Sequence, residues 1–141
     1  ADETELVLTL GGDAVLGTRE YWWNDPESLP AYLNQYGMAY PFSSMQSLFA
    51  SDDMTFINLE CALKEDGKGE QTGRLWRFRG LPGYTEALWQ GSIEQVNIAN
   101  NHHGDYGTAG EESTRQALID AGMPFSGYGY TYVWEKNGGL P

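Results

Sequence analysis

Histidine and cysteine are scarce in this chain of 141 residues, which has two adjacent histidines, His102 and His103, and one cysteine, Cys61. One cysteine excludes an intrachain disulfide and any thiolate-rich metal centre. Nothing basic adjoins Cys61, so it reads as a packed thiol rather than a nucleophile. Positive charge is short too: 8 Lys and Arg stand against 20 Asp and Glu, for a formal net charge of −12. A nucleic acid or an anionic membrane needs a basic footprint, and none is present. The acidic balance suits cations and a solubilising surface. No apolar run approaches the ~18 residues of a membrane span, and there is no internal repeat or low-complexity segment.

What is present is ample for one domain with a core: 40% of the residues are hydrophobic and 13% are aromatic. The polar start, Ala1 to Glu5, lies one step before the first strand, as in a mature chain trimmed of a signal or anchor. Leu6, Leu8 and Leu10 share a strand face with Val7 on the other, which predicts a strand covered on both sides. Gly11-Gly12 then turns the chain into Asp13.

After an aromatic insertion with Tyr21-Trp22-Trp23, Ser28 caps a helix whose apolar face is Leu29, Tyr32, Leu33 and Tyr36, ended by Gly37. Ser43-Ser44-Met45-Gln46 has capping-box spacing, predicting a helix with Met45, Leu48 and Phe49 inward. Asp52 and Asp53 precede the next strand and read as solvated loop charges. That strand, Met54 to Ile57, runs into Asn58-Leu59-Glu60. Residues 64–73 form a polar flap, and 75–79 alternate as an edge strand. There Arg74, Arg77 and Arg79 gather three of the eight bases, a cluster suited to an anionic substrate.

A further helix follows Leu81-Pro82, with Tyr84, Ala87 and Leu88 inward and Gly91 as terminator. A third strand, Gln95 to Ala99, stops in Asn100-Asn101-His102-His103-Gly104-Asp105. Thr108 to Glu111 has capping-box spacing for a helix to about Ala121, aided by a Glu111–Arg115 pair. Gly122 and Pro124 end it. Phe125 to Trp134 reads as a short strand and loop, and Glu135 to Pro141 as the start of a hairpin. Alternating strands and helices with short turns predict an α/β fold with parallel strands. Ligands of such folds collect at the carboxyl ends of strands. Three strand ends here deliver Asp13, Asn58 with Glu60, and the Asn/His/Asp cluster.

Gly-Asp after the first strand, Asn-Leu-Glu after the second, Ala-Asn-Asn-His-x-x-Asp-x-Gly after the third, and a later Ala-Gly-Met-Pro with Gly-x-Gly resemble the bacterial capsule synthesis protein family (CapA, or PGA_cap). The resemblance runs from about Leu6 to about Gly129. It implies a metallophosphoesterase-like layered sandwich of which residues 1–141 form the N-terminal half of a single domain. Sheet edges left open by such a division predict self-association or a strand-exchanged dimer.

The resemblance also implies roles. Asp13, Asn58, Glu60 and Asn101 face a divalent metal (Mn, Mg, Ca or Zn), and His102 is the proton donor or substrate contact. Asp105 either orients His102 or caps the next helix, and Asn100 holds the tight turn through its side chain. Apart from the resemblance, the residues themselves make Arg77, Arg79, Trp22 and Trp23 candidate substrate contacts, the alternatives being edge-strand charge for the arginines and loop-anchoring core aromatics for the tryptophans. His103 departs from the family's small or apolar residue and reads as an exposed loop imidazole. Two adjacent histidines cannot both reach one ion from a regular strand, so the donor set is mainly oxygen, fit for a hard cation. The implied function is capsule biosynthesis on an anionic cell-surface polymer such as poly-gamma-glutamate, by a metal-dependent hydrolase or transferase at the extracellular face of a bacterium, secreted or membrane-anchored. The alternatives are a non-catalytic polymer-binding or export-support module, and a metallophosphatase for a small phosphoester.

Overall fold

The computed structural model describes residues 5–135; the hairpin expected at 135–141 lies, beyond Glu135, outside them. Four strands make one parallel sheet in the order β1-β2-β5-β6: β1 (Leu8–Ala14), β2 (Met54–Leu59), β5 (Gln95–Asn97) and β6 (Phe125–Ser126). A second, two-stranded parallel sheet joins β3 (Ala62–Leu63) to β4 (Arg79–Gly80). The helices are α1 (Leu29–Tyr36), α2 (Gln46–Phe49), α3 (Thr85–Gln90) and α4 (Gly107–Asp120). This is an α/β fold with the parallel strands that the alternation of elements predicts.

The core lies on one face of the four-stranded sheet. Ile57, Leu59, Val96 and Ile98 are buried there with Leu33, Phe49, Leu88, Leu118 and Met123. Along β2 burial alternates: Thr55, Ile57 and Leu59 are inside, while Met54, Phe56 and Asn58 are half-buried. Leu8 and Leu10 register with Met54 and Phe56 and are 50% and 74% exposed. The expectation of a strand covered on both sides is therefore corrected. β1 is an edge strand, and the core-forming residues of its neighbours belong to the opposite face.

Local signals fared unevenly. Ser28 accepts from the Ala31 N–H as α1's cap, and Gly37 closes that helix at φ +84°. The two capping boxes do not form. Ser43 Oγ donates to the Tyr40 carbonyl instead, and α2 keeps only Phe49 inside while Met45 and Leu48 are exposed. At α4 the left-handed Gly107 (φ +61°) already makes the turn, so the helix starts before Thr108 could cap it. Arg115 lies over the Tyr130 ring, 6.0 Å from its centroid, rather than pairing with Glu111. Asp52 and Asp53 are tethers rather than solvated charges: Asp52 accepts from Thr55 Oγ1 and Asp53 from the Val7 N–H, fastening the starts of β1 and β2 together.

Of the alternating stretch 75–79 only Arg79 joins a strand. The rest is held by the site itself: the Phe78 N–H donates to Asp105 and the Arg77 guanidinium to the Arg74 carbonyl. The Phe78 N–H spent this way is not available for an edge ladder.

Candidate functional site

The site begins with register. Asp13 pairs with Asn58, Asn58 with Asn97, and Asn97 with Ser126, so one polar row crosses four strands near their carboxyl ends. A bulge puts Asp13 in that row. Between the Leu10–Phe56 and Asp13–Asn58 pairs, β1 advances three residues while β2 advances two. Because side chains alternate, the extra residue moves Asp13 onto the face of Asn58. Gly11 permits this, since a Cβ there would stand 2.8 Å from Ile57 Cγ2.

Asn58 is the hub of an amide network. Its Nδ2 donates to Asp13 Oδ1 at 2.7 Å, and its Oδ1 accepts from Asn97 Nδ2 at 2.8 Å and Asn100 Nδ2 at 3.0 Å. The amide oxygen expected to face a metal thus serves the scaffold. Asn97 was not singled out from the sequence, although one polar residue inside Val96-Asn97-Ile98 was the available signal. Asn100 holds the turn with both ends of its amide. Oδ1 accepts from the N–H groups of His102 and His103, each at 3.0 Å, and Nδ2 also reaches the Leu59 carbonyl at 2.9 Å.

Glu60 continues the β1–β2 pairing, its N–H donating to the Ala14 carbonyl, and this carries its carboxyl to that of Asp13. Asp13 is held below the usual aspartate range by the Asn58 amide and then by Glu60. Glu60 is pushed up by burial and by the Asp13 carboxylate. Two carboxyl groups this close disfavour each other's charge, and a cation held between them relieves that repulsion.

His102 stands at the far side of this pair, its Nε2 3.8 Å from Glu60 Oε1. Its Nδ1 is 2.7 Å from Asp105 Oδ2. Asp105 is fully buried and accepts on every side, from the Phe78 N–H at 2.9 Å and from Arg74 Nη1 at 3.1 Å. The hydrogen of the imidazole therefore sits on Nδ1, and Nε2 faces Glu60. Asp105 orients His102 and does not cap α4, whose start has no side-chain cap.

His103 corrects the expectation of an exposed imidazole. It is 1% exposed, and neither ring nitrogen has a partner among the described residues. Its ring stacks on Tyr128, centroids 4.9 Å apart, and Tyr128 in turn donates to the Asn100 carbonyl. Burial lowers the His103 pKa. The loop after β6, distant in sequence, supplies this cover.

The remaining candidates are placed apart. Arg79 is 4% exposed, bound to Glu20 and to the carbonyls of Lys64 and Glu65, with Trp23 3.7 Å from its guanidinium. Arg77 pairs with Glu70 at 2.7 Å. Trp22 lies by Arg19. The arginine at the site is Arg74, which with Trp76, Asn101 and His102 lines a cavity of about 350 Å³. Cys61 is fully buried and its thiol is pushed up to about 12, which makes it inert.

For a metal, the arrangement offers the Asp13–Glu60 pair. Among the described residues no three His, Cys, Asp or Glu side chains stand together as a set able to hold an ion. His102 has one nitrogen committed to Asp105, and Asn58 is spent in the network. The donor set is thus incomplete within these residues, and the chemistry that can be derived is that of His102.

No helix of the described residues is long and apolar enough to cross a membrane. The family model "Bacterial capsule synthesis protein PGA_cap" matches residues 7–135. A capsule biosynthesis protein CapA from Bacillus anthracis is 25% identical over 138 residues, covering 96% of this chain. The chain spans 31% of that relative's length. With its strand-end motifs in one polar row and the match running through all of them, the chain belongs to the bacterial capsule synthesis protein (PGA_cap) family.

Proposed function

We propose that the chain carries the acid–base part of a capsule-biosynthesis site that cleaves or transfers an anionic cell-surface polymer, such as poly-gamma-glutamate, at the outer face of a bacterial cell. The observation that carries this reading is the His102–Asp105 couple set beside the Glu60–Asp13 pair at the carboxyl ends of neighbouring strands. Asp105 fixes the imidazole with Nε2 toward the carboxyl pair, where it takes a proton from an attacking group and returns it to the leaving group. Asp13 and Glu60 would hold a divalent cation, which when bound polarises the bond under attack. Asn100 fixes the backbone of His102, and the Asn58 network fixes Asp13.

The test is calorimetric titration of the chain with Mn²⁺ beside its Asp13→Ala and Glu60→Ala variants, with chain-length analysis of poly-gamma-glutamate incubated with wild type and His102→Ala. Saturable binding lost in both carboxylate variants, and turnover lost in His102→Ala, are expected. Turnover that survives His102→Ala ends this mechanism. A second reading, a non-catalytic polymer-binding module, draws on the commitment of Asn58's amide oxygen to the scaffold. Polymer binding with no turnover in any metal would favour it.

A further inference from the structure

Four of the seven bases among the described residues are spent on neighbouring acids. Arg77 pairs with Glu70, Arg79 with Glu20, and Lys64 and Lys68 with Asp66. Arg74 is different. Only Nη1 is engaged, donating to the Asn101 carbonyl at 2.6 Å and to Asp105 at 3.1 Å, and the side chain remains 49% exposed. Its Nε and Nη2 donate to no acceptor among the described residues. That leaves one edge of the guanidinium fork fixed in place and open, the geometry that matches the two oxygens of a carboxylate or phosphate.

The cavity beside it has a wall to match. Trp76 is half exposed, and Arg19 lies 4.3 Å from its ring centroid while also facing Tyr21 at 4.6 Å and Trp22 at 5.2 Å. Arg19 forms no ion pair among the described residues, so its charge adds to that of Arg74 on the same side. Asn101 lines the cavity with an amide that makes no side-chain hydrogen bond among these residues, and His102 completes it. Glu60 faces the Nε2 of His102, while Arg74 reaches the other side of the ring through Asp105 on Nδ1.

We propose that Arg74 and Trp76, with Asn101, form an oxyanion-binding subsite that receives a carboxylate or phosphate group of the substrate beside His102. The subsite rests on the site reading above for its purpose, but not for its existence. Arg74 binds the anion side-on, Trp76 packs against the adjoining chain, and Arg19 reinforces the field from behind the indole. A single anchored fork loses little freedom on binding.

The test titrates the 141-residue chain, in buffer freed of metals by chelating resin, with γ-tetraglutamate, with its side-chain amidated counterpart, and with inorganic phosphate. Trp76→Ala, Arg74→Gln and Lys68→Gln are run in parallel. Saturable binding of tetraglutamate is expected, weakened about tenfold or more by amidation and by Arg74→Gln, as for loss of a bidentate charged contact. Trp76→Ala, which leaves Arg74 and Asp105 their bonds, weakens it too, and Lys68→Gln, at an exposed base paired among the described residues only with Asp66, leaves it unchanged. Phosphate binding with the same Arg74 dependence but higher affinity than tetraglutamate assigns the subsite to phosphate and upholds its chemistry. Equal binding of the charged and amidated oligomers, indifference to Trp76→Ala, or no binding of either anion at millimolar concentration overturns it. Binding through Arg74 and Trp76 without turnover upholds the subsite and sinks the catalytic reading. Turnover equal on charged and amidated oligomers, and indifferent to Arg74→Gln, does the reverse.

Discussion

Replacing Asn100 by alanine removes four hydrogen bonds at once. Its Oδ1 receives the N–H groups of His102 and His103, and its Nδ2 reaches Asn58 Oδ1 and the Leu59 carbonyl. Each such bond has a net value of about 0.5–1.5 kcal/mol, and donors left without a partner cost more. Asn100 is half-buried, so water can replace part of the loss, and the lower half of the range gives about 2–4 kcal/mol for the four. For a domain of this size that corresponds to a fall in Tm of roughly 6–16 °C. Asn100→Asp keeps the acceptor and loses the two donated bonds, so it should fall between wild type and Asn100→Ala. The neighbouring Asn101→Ala removes no side-chain hydrogen bond and should stay within about 0.5 kcal/mol of wild type. Urea and thermal unfolding of the three variants measure this ordering. If Asn100→Ala and Asn101→Ala were equally stable, the argument that the Asn100 amide clamps the site turn would be refuted.

Four further outcomes are expected. Asp105→Asn should cost about 1–3 kcal/mol and change the His102 tautomer, read from ring ¹⁵N shifts; unchanged shifts would remove Asp105 from its orienting role. Glu20 feels burial, which raises its pKa, but the Arg79 and Tyr106 hydrogen bonds outweigh it, so the carboxyl lies below its ordinary 4.5. A lowered carboxylate stabilises above its ordinary value, and the gain is lost as pH falls through the lowered one. Glu20→Gln should accordingly flatten the acid limb of a stability profile below about pH 5. Cys61 should resist a thiol reagent at pH 8 in the folded chain and react once urea unfolds it, which a thiol count follows. Leu10, 74% exposed on the edge strand, should tolerate lysine within about 0.5 kcal/mol while self-association seen by sedimentation decreases.

The four strands of the main sheet, the Ser28 and Gly37 helix limits, the Gly91 and Gly122 terminators and the buried Cys61 were legible because each follows from neighbours within a few residues. So was the grouping of Asp13, Glu60 and His102, since parallel strands bring their carboxyl ends together. Three features were decided only by tertiary structure. The β1 bulge swings Asp13 onto the Asn58 face through a packing limit between Gly11 and Ile57. Asp105, by capturing the Phe78 N–H, keeps all but the last residues of a segment that alternates like a strand out of a ladder. The ring of Tyr128, 25 residues after His103, buries an imidazole whose sequence surroundings are those of an open loop. The difference is one of range: caps, turns and alternation act through the local backbone, whereas burial and charge pairing depend on which distant residue arrives to complete them.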